Sequence, residues 1–237
     1  MSTLEISEVK PKGKFITFEG IDGSGKTTNV PWLAEYLRGS GKEVYVTREP
    51  GGTELGEMLR GILFNHCMDP ETEALLMFAS RRDHVERVIK PMLEKGIWVI
   101  SDRFTDSSFG LQGFGGGANI LGLNDLEKFV HPNFEPDLTI LFDLPVEIAR
   151  ERNANTIKKD RFELMDLEYH KRVRQGFLYR KDQSGDRVQL INADQTVEMI
   201  RHDIVDIMDN FDERLNGDHH GYQQLLALVA DPEYNER

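Results

Sequence analysis

A run of glycines ending in an ammonium and a hydroxyl, GIDGSGKT at residues 20–27, has the composition and spacing needed to grip the phosphates of a nucleoside triphosphate. Gly20, Gly23 and Gly25 let the backbone wrap closely, so N–H groups through Ser24 and on to Thr28 can point at phosphate oxygens where a helix begins. Lys26 would reach the beta and gamma phosphates, and the Thr27 hydroxyl would ligate Mg2+. A plain glycine-rich turn with a surface lysine would leave all of these features unused. The loop is silent on the second substrate, because ATPases, GTPases and small-molecule kinases share it.

Two arginines stand where apolar runs end: Arg48 after EVYVT and Arg103 after GIWVISD. Guanidiniums there can hold phosphate oxygens in bidentate fashion, and a kinase that brings an acceptor phosphate to its donor needs a second set of cations. A rim salt bridge is the competing reading for each. Asp102 can orient Mg2+ or its waters, or tie down an arginine. Arg150, Arg152, Lys158, Lys159 and Arg161 crowd one segment. It would suit a lid that closes over the transferring group and excludes water, although a solvated helix would carry the same charges.

These residues need elements to aim them. Short apolar runs at 14–19, 43–48, 97–101, 138–143 and 187–192 read as five core strands. Between them, 27–37, 54–64, 71–94 and 196–211 carry helical periodicity, and the glycine cluster GFGGG at 113–117 reads as a loop. The alternation predicts an α/β fold, a five-stranded parallel sheet flanked by helices, whose ligands gather beyond the carboxyl ends of the strands. Strand order is not readable from spacing. We expect an N-terminal extension over 1–13, a kinase domain over 14–213 with a lid at about 150–163, and a tail over 214–237 that is either a docking helix or a loose terminus.

Composition narrows the partners. Acidic residues number 41 against 29 basic ones, a formal charge of -12, which argues against binding to polymeric nucleic acid. No stretch approaches transmembrane length, and the start of the chain lacks the apolar core of a signal peptide, so a soluble cytoplasmic protein without membrane contact is expected, in a host's cytoplasm if the source is viral. The single cysteine, Cys67, is expected to be a buried or half-buried small residue.

Together FITFEGIDGSGKTT, TREPGGTELGEMLR, EALLMFASRRDHVERVIKPMLEKGIWVISDRF, PDLTILFDLPVEIARER and DRFE make residues 14–210 resemble the bacterial thymidylate kinases. The resemblance implies a P-loop nucleoside monophosphate kinase that uses ATP and Mg2+, acts on a deoxynucleoside monophosphate by in-line transfer, and forms a homodimer through helices of the 54–94 region. Asp22 matches a carboxylate near the acceptor's 3'-hydroxyl, and Arg48 and Arg103 match the monophosphate arginines. Phe78 matches the ring that stacks on thymine and Arg82 the arginine that bonds a base oxygen. Their i, i+4 spacing agrees with a shared face, while Phe78 in the core and Arg82 on the surface is the bland alternative. Ser107, Ser108 and Gln112 match polar groups around the base, Ala193 and Asp194 match a loop beside adenine, and Arg152 or Arg161 would be the catalytic lid arginine.

One segment departs from the family pattern. Leu111 stands where a tyrosine is usual beneath the sugar, and Gly116 where an arginine is usual. The paired change raises the alternative of a kinase for a 5-modified dUMP or another nucleoside monophosphate, unless Phe109 or Phe114 fills the space. A non-kinase switch protein would leave Phe78 and Arg82 without a purpose.

Overall fold

The computed structural model describes residues 12–154 and 161–216, with side chains through residue 212. Five strands form one all-parallel sheet: β1 (Phe15–Glu19), β2 (Val44–Arg48), β3 (Trp98–Asp102), β4 (Leu138–Asp143) and β5 (Val188–Asn192), in the order β2-β3-β1-β4-β5. Every predicted strand is present to within a residue at each end. Strand β1 is central and alternates between the two faces, as a pleated strand must. Ile16 and Phe18 enter the larger core with Ile100, Ile140 and the helices beneath, whereas Phe15 packs with Val85, Ile89 and Val99 on the other side. Glu19 shares the second parity, and it ends the strand where the phosphate loop begins.

The helices are α1 (Lys26–Gly39), α2 (Glu54–Asn65), α3 (Pro70–His84), α4 (Lys90–Glu94), α5 (Thr105–Ser108), α6 (Ile120–Val130), α7 (Val146–Arg152), α8 (Leu167–Gln183) and α9 (Val197–Asn216). The expected single helix over 71–94 is interrupted by a π-helical turn, Val85–Ile89, ahead of Pro91. Proline lacks an N–H for the fourth carbonyl back and its ring crowds that group, so the wider turn absorbs the misfit.

The GFGGG cluster is not simply a loop. Phe109–Gly115 continues α5 as a second π-helical stretch, and its glycines are there for packing. A Cβ on Gly176 of α8 would lie 2.8 Å from the Gly110 Cα, and one on Gly110 would lie 3.1 Å from the Phe177 ring. Side chains at these positions would push the two helices apart.

Cys67 is exposed, contrary to expectation, because it lies in the short link after α2. The lid's Lys158 and Lys159, the extension up to residue 11 and the tail from residue 217 lie outside the described residues. Among the described residues no helix is long and apolar enough to cross a membrane.

Candidate active site

The phosphate loop leaves β1 and closes on α1. Gly20, Gly23 and Gly25 have φ of 136°, 83° and 96°, the left-handed side that L residues avoid. At two of them space matters as well: a Cβ on Gly20 would lie 2.4 Å from the Phe142 carbonyl oxygen, and one on Gly23 would lie 2.4 Å from that of Ala149. Lys26 is buried at the centre of the loop, where its Nζ donates to the Gly20 and Ile21 carbonyls at 2.8 and 3.0 Å. Burial and the neighbouring Arg103 guanidinium pull the Lys26 ammonium down from 10.5 to about 8, against the opposing pull of Asp22, Asp102 and Glu19.

Arg103 follows β3 at φ 74°, an uncommon conformation for a residue with a side chain. Its guanidinium reaches across to the phosphate loop, donating to the Gly20 carbonyl (3.0 Å), to Ser107 Oγ (3.0 Å) and to Asp22 Oδ1. The buried Glu19 carboxylate holds the turn. One oxygen accepts from the Phe104 N–H (2.7 Å) and Ser107 N–H (3.3 Å), the other from Ser107 Oγ (2.6 Å). Burial, helped by the nearby Asp106 carboxylate, raises Glu19 to about 7. Sequence reasoning passed over Glu19, and its signal was a carboxylate closing the otherwise apolar run FITFE.

A cleft of about 650 Å³ runs from this loop in two directions. On one side it meets Arg48, Glu49, Pro50, Arg60, Phe64, Met77, Leu111 and Gln112; on the other, Thr28, Asn29, Arg152, Gln195, Thr196 and Ile200. Asp22, Gly23, Gly25, Lys26, Thr27, Asp102 and Arg103 lie between. The expected phosphate ligands and strand-end arginines therefore converge. Arg48 is half-exposed and meets Glu57 at 3.1 Å, a surface pair that a ligand could replace at little cost.

Several expected residues lie elsewhere. Phe78 is fully buried among Ala74, Phe109, Leu123 and Val130, and Arg82 points outward to the Val130 carbonyl (2.7 Å) and Glu86 (3.0 Å). An i, i+4 pair does meet the site from α3, but one residue earlier than expected. Met77 is the residue that reaches the cleft, and Arg81, four further on, is the buried one. Arg81 donates to Glu49 Oε2 (2.7 Å), Ser108 Oγ (3.0 Å) and the Phe104 carbonyl (3.1 Å) between the rings of Phe78 and Phe104. Burial works to raise Glu49, but Arg81 and His84 outweigh it and hold the carboxyl below its ordinary range.

Ser107 and Ser108 are buried too, with their hydroxyls committed to Glu19 and Arg81, so they stand behind the cleft wall. On the other side Ala193 is buried, and its carbonyl accepts from Arg152 (2.9 Å); Asp194 is exposed and off the cleft, which Gln195 and Thr196 line in its place. Arg161 is held against the Leu63 carbonyl and Glu73 instead of facing the phosphate loop. Neither Phe109 nor Phe114 fills the space at Leu111. Tyr169 of α8 is buried behind this segment and donates its hydroxyl to the Leu111 carbonyl (3.4 Å), but it does not line the cleft.

The site also fits a divalent cation. Asp102 Oδ1 is buried without a hydrogen-bond partner, and Asp102 and Thr27 line the same part of the cleft. Among the described residues no group of three or more acidic, histidine or cysteine side chains could cage a metal. A hard cation that takes most of its ligands from phosphates and water matches this donor set.

Comparison with known proteins agrees with the geometry. The family model described as thymidylate kinase matches residues 18–204. The chain is 50% identical over 202 residues to a thymidylate kinase of Nitrosomonas eutropha, covering 84% of this chain and 94% of the relative. It is 50% identical over 195 residues to one of Nitrosospira multiformis, covering 81% and 95%. The crystal structure of thymidylate kinase from Ehrlichia chaffeensis superposes with a TM-score of 0.69 at 35% identity, covering 84% of this chain and 99% of that one.

The lowered Lys26 value makes a pH test available. Bound phosphates favour the ammonium, so affinity for ATP is full below about pH 8 and falls as pH rises through it, by at most about tenfold per unit. Calorimetric titration between pH 7 and 9.5 should show this decline, and Lys26→Arg, whose charge does not titrate there, should abolish the slope.

Proposed function

The chain belongs to the thymidylate kinase family, and we infer that it is an ATP-dependent nucleoside monophosphate kinase that converts dTMP and ATP into dTDP and ADP. The observation that carries this reading is one cleft with Lys26 and Arg103 at its centre, Arg48 on one side and Arg152 on the other. Two phosphate-bearing ligands fit such a cleft end to end.

In this reading the donor phosphates lie along the loop N–H groups and the start of α1, with Lys26 against the beta and gamma oxygens. Arg48 and Arg103 hold the acceptor phosphate in line. No general base is needed, since that phosphate, with a second pKa of about 6, is already an oxyanion at neutral pH. Asp22 and Glu19 keep Arg103 aimed, and Arg152 brings a further cation to the donor side. Thr27 and Asp102 would hold Mg2+, whose charge would offset that of the phosphates. Gln112 and Met77 take the acceptor base, and Gln195 and Thr196 the donor base.

The altered segment does not demand another acceptor. Leu111 still lines the cleft with an apolar side chain, and an apolar exchange there shifts discrimination by only about 1–3 kcal/mol. An assay of ADP release with dTMP, dUMP, 5-hydroxymethyl-dUMP, dCMP and UMP should give dTMP the highest kcat/KM. Preference for the modified dUMP would move the enzyme to that nucleotide. Arg48→Met should raise the KM for dTMP by about tenfold or more and leave ATP affinity unchanged.

A homodimer is part of the same proposal. Leu55, Met58 and Ile62 on α2 and Leu75 on α3 are large apolar residues between 41% and 57% exposed, and the α2 members share a helix face. Light scattering should give twice the chain mass for the native protein and a monomer for Met58→Glu; a monomeric native protein would overturn the assignment.

A further inference from the structure

Helix α3 presents Glu73, Met77 and Arg81 at successive i, i+4 steps, so they follow one another along one face. Met77 lines the cleft and Arg81 carries the buried network, but Glu73 takes no part in phosphoryl transfer. It is nonetheless buried, and both of its oxygens are engaged. Oε1 accepts from Arg161 Nη1 at 2.8 Å, and Oε2 accepts from Gln112 Nε2 at 3.4 Å. Gln112 is almost wholly buried and lines the cleft, and its Oε1 has no hydrogen-bond partner.

The chemistry of the pair decides which end of the Gln112 amide faces the ligand. A carboxylate has no hydrogen to donate, so the amide nitrogen must face Glu73; the flipped amide would bring acceptor against acceptor. The carbonyl oxygen is then the end left for the cleft. An unpaired buried acceptor is costly and is satisfied by a ligand that brings a donor. Thymine and uracil carry an N3–H, whereas cytosine has a lone pair at N3. Arg161, also bonded to the Leu63 carbonyl, occupies the other carboxylate oxygen and so holds the carboxylate in place.

We infer that Glu73, held by Arg161 and bonded to Gln112, is a specificity-positioning residue that fixes the Gln112 amide to accept from N3–H, selecting thymine-type over cytosine-type acceptors. A consequence is that the chain segment carrying Arg161, which leads out of the 150–163 region, is tied directly to base reading. The inference rests on the kinase reading for its choice of ligand, so its test reads binding apart from turnover.

The experiment measures Kd by calorimetry for dTMP, dUMP and dCMP on the native protein, Glu73→Gln and Arg161→Met, with ATP affinity and melting temperature as checks on folding. The native protein should bind dTMP and dUMP well ahead of dCMP. In E73Q the new amide can donate to Gln112, which frees Gln112 to flip, and the dTMP-to-dCMP preference should fall by about tenfold or more through both weaker dTMP and stronger dCMP binding. R161M, which leaves Glu73 in place but unheld, should lower the preference in the same direction. A merely structural role would weaken both nucleotides together and leave the ratio alone. A folded E73Q with a preference within about twofold of native overturns the inference; should E73Q not fold, an unchanged ratio in R161M overturns it. A native protein that shows the binding preference but no ADP release would instead contradict the kinase reading.

Discussion

A single buried carboxylate, Glu19, holds the two halves of the cleft together. It ends β1, the strand that leads into the phosphate loop, and it accepts three hydrogen bonds from the turn after β3. That turn carries Arg103 at a positive φ, and Arg103 in turn bonds the phosphate loop through Gly20 and Asp22. The ring of contacts is closed: strand to turn, turn to arginine, arginine back to loop. A buried carboxylate is costly unless satisfied, and here the desolvation is offset by backbone and hydroxyl donors on the segment that must be positioned. Asp106, close enough to push Glu19 upward, is itself held ionised. Burial works to raise it, but Arg187 and Arg180 outweigh that and keep it below its ordinary range.

The acceptor wall depends on a second buried charge cluster built on the same logic. Glu49 lies one residue past Arg48 and is pinned by Arg81 and His84, which keeps the β2 exit close to α3. Arg81 also reaches the Phe104 carbonyl, so the two clusters meet at one residue whose N–H belongs to Glu19 and whose C=O belongs to Arg81. Breaking either pair would leave an uncompensated charge in the interior, which is more damaging than the pair is stabilising.

The fold was legible because a parallel sheet buried on both faces writes its strands as compact apolar runs, and all five were placed to within a residue at each end. The phosphate loop was legible for a different reason: glycine spacing and Lys26 encode a local geometry that needs no tertiary partner. Register on α3 was not. Phe78 and Met77 are both large and apolar, and only the packing of Phe109 and Val130 from other segments decides which one turns inward. The serines at 107 and 108 were misplaced because a short polar side chain near a site serves equally well as a ligand contact or as a brace for Glu19 and Arg81. The π-helical stretch from Phe109 escaped notice because its glycines, read locally, signal a turn; the reason for Gly110 and Gly115 lies about sixty residues away on α8.

The most direct test of this account is the effect of Arg103→Met on each substrate separately, since the Arg103 side chain joins the phosphate loop to the acceptor turn. Single-turnover transfer from ATP to dTMP should fall by about 100-fold or more, as for loss of a charge placed against the reacting phosphates, while the Kd for ATP stays within about threefold of native. Transfer at the native rate, or a collapse of ATP binding as large as the loss of transfer, would contradict it.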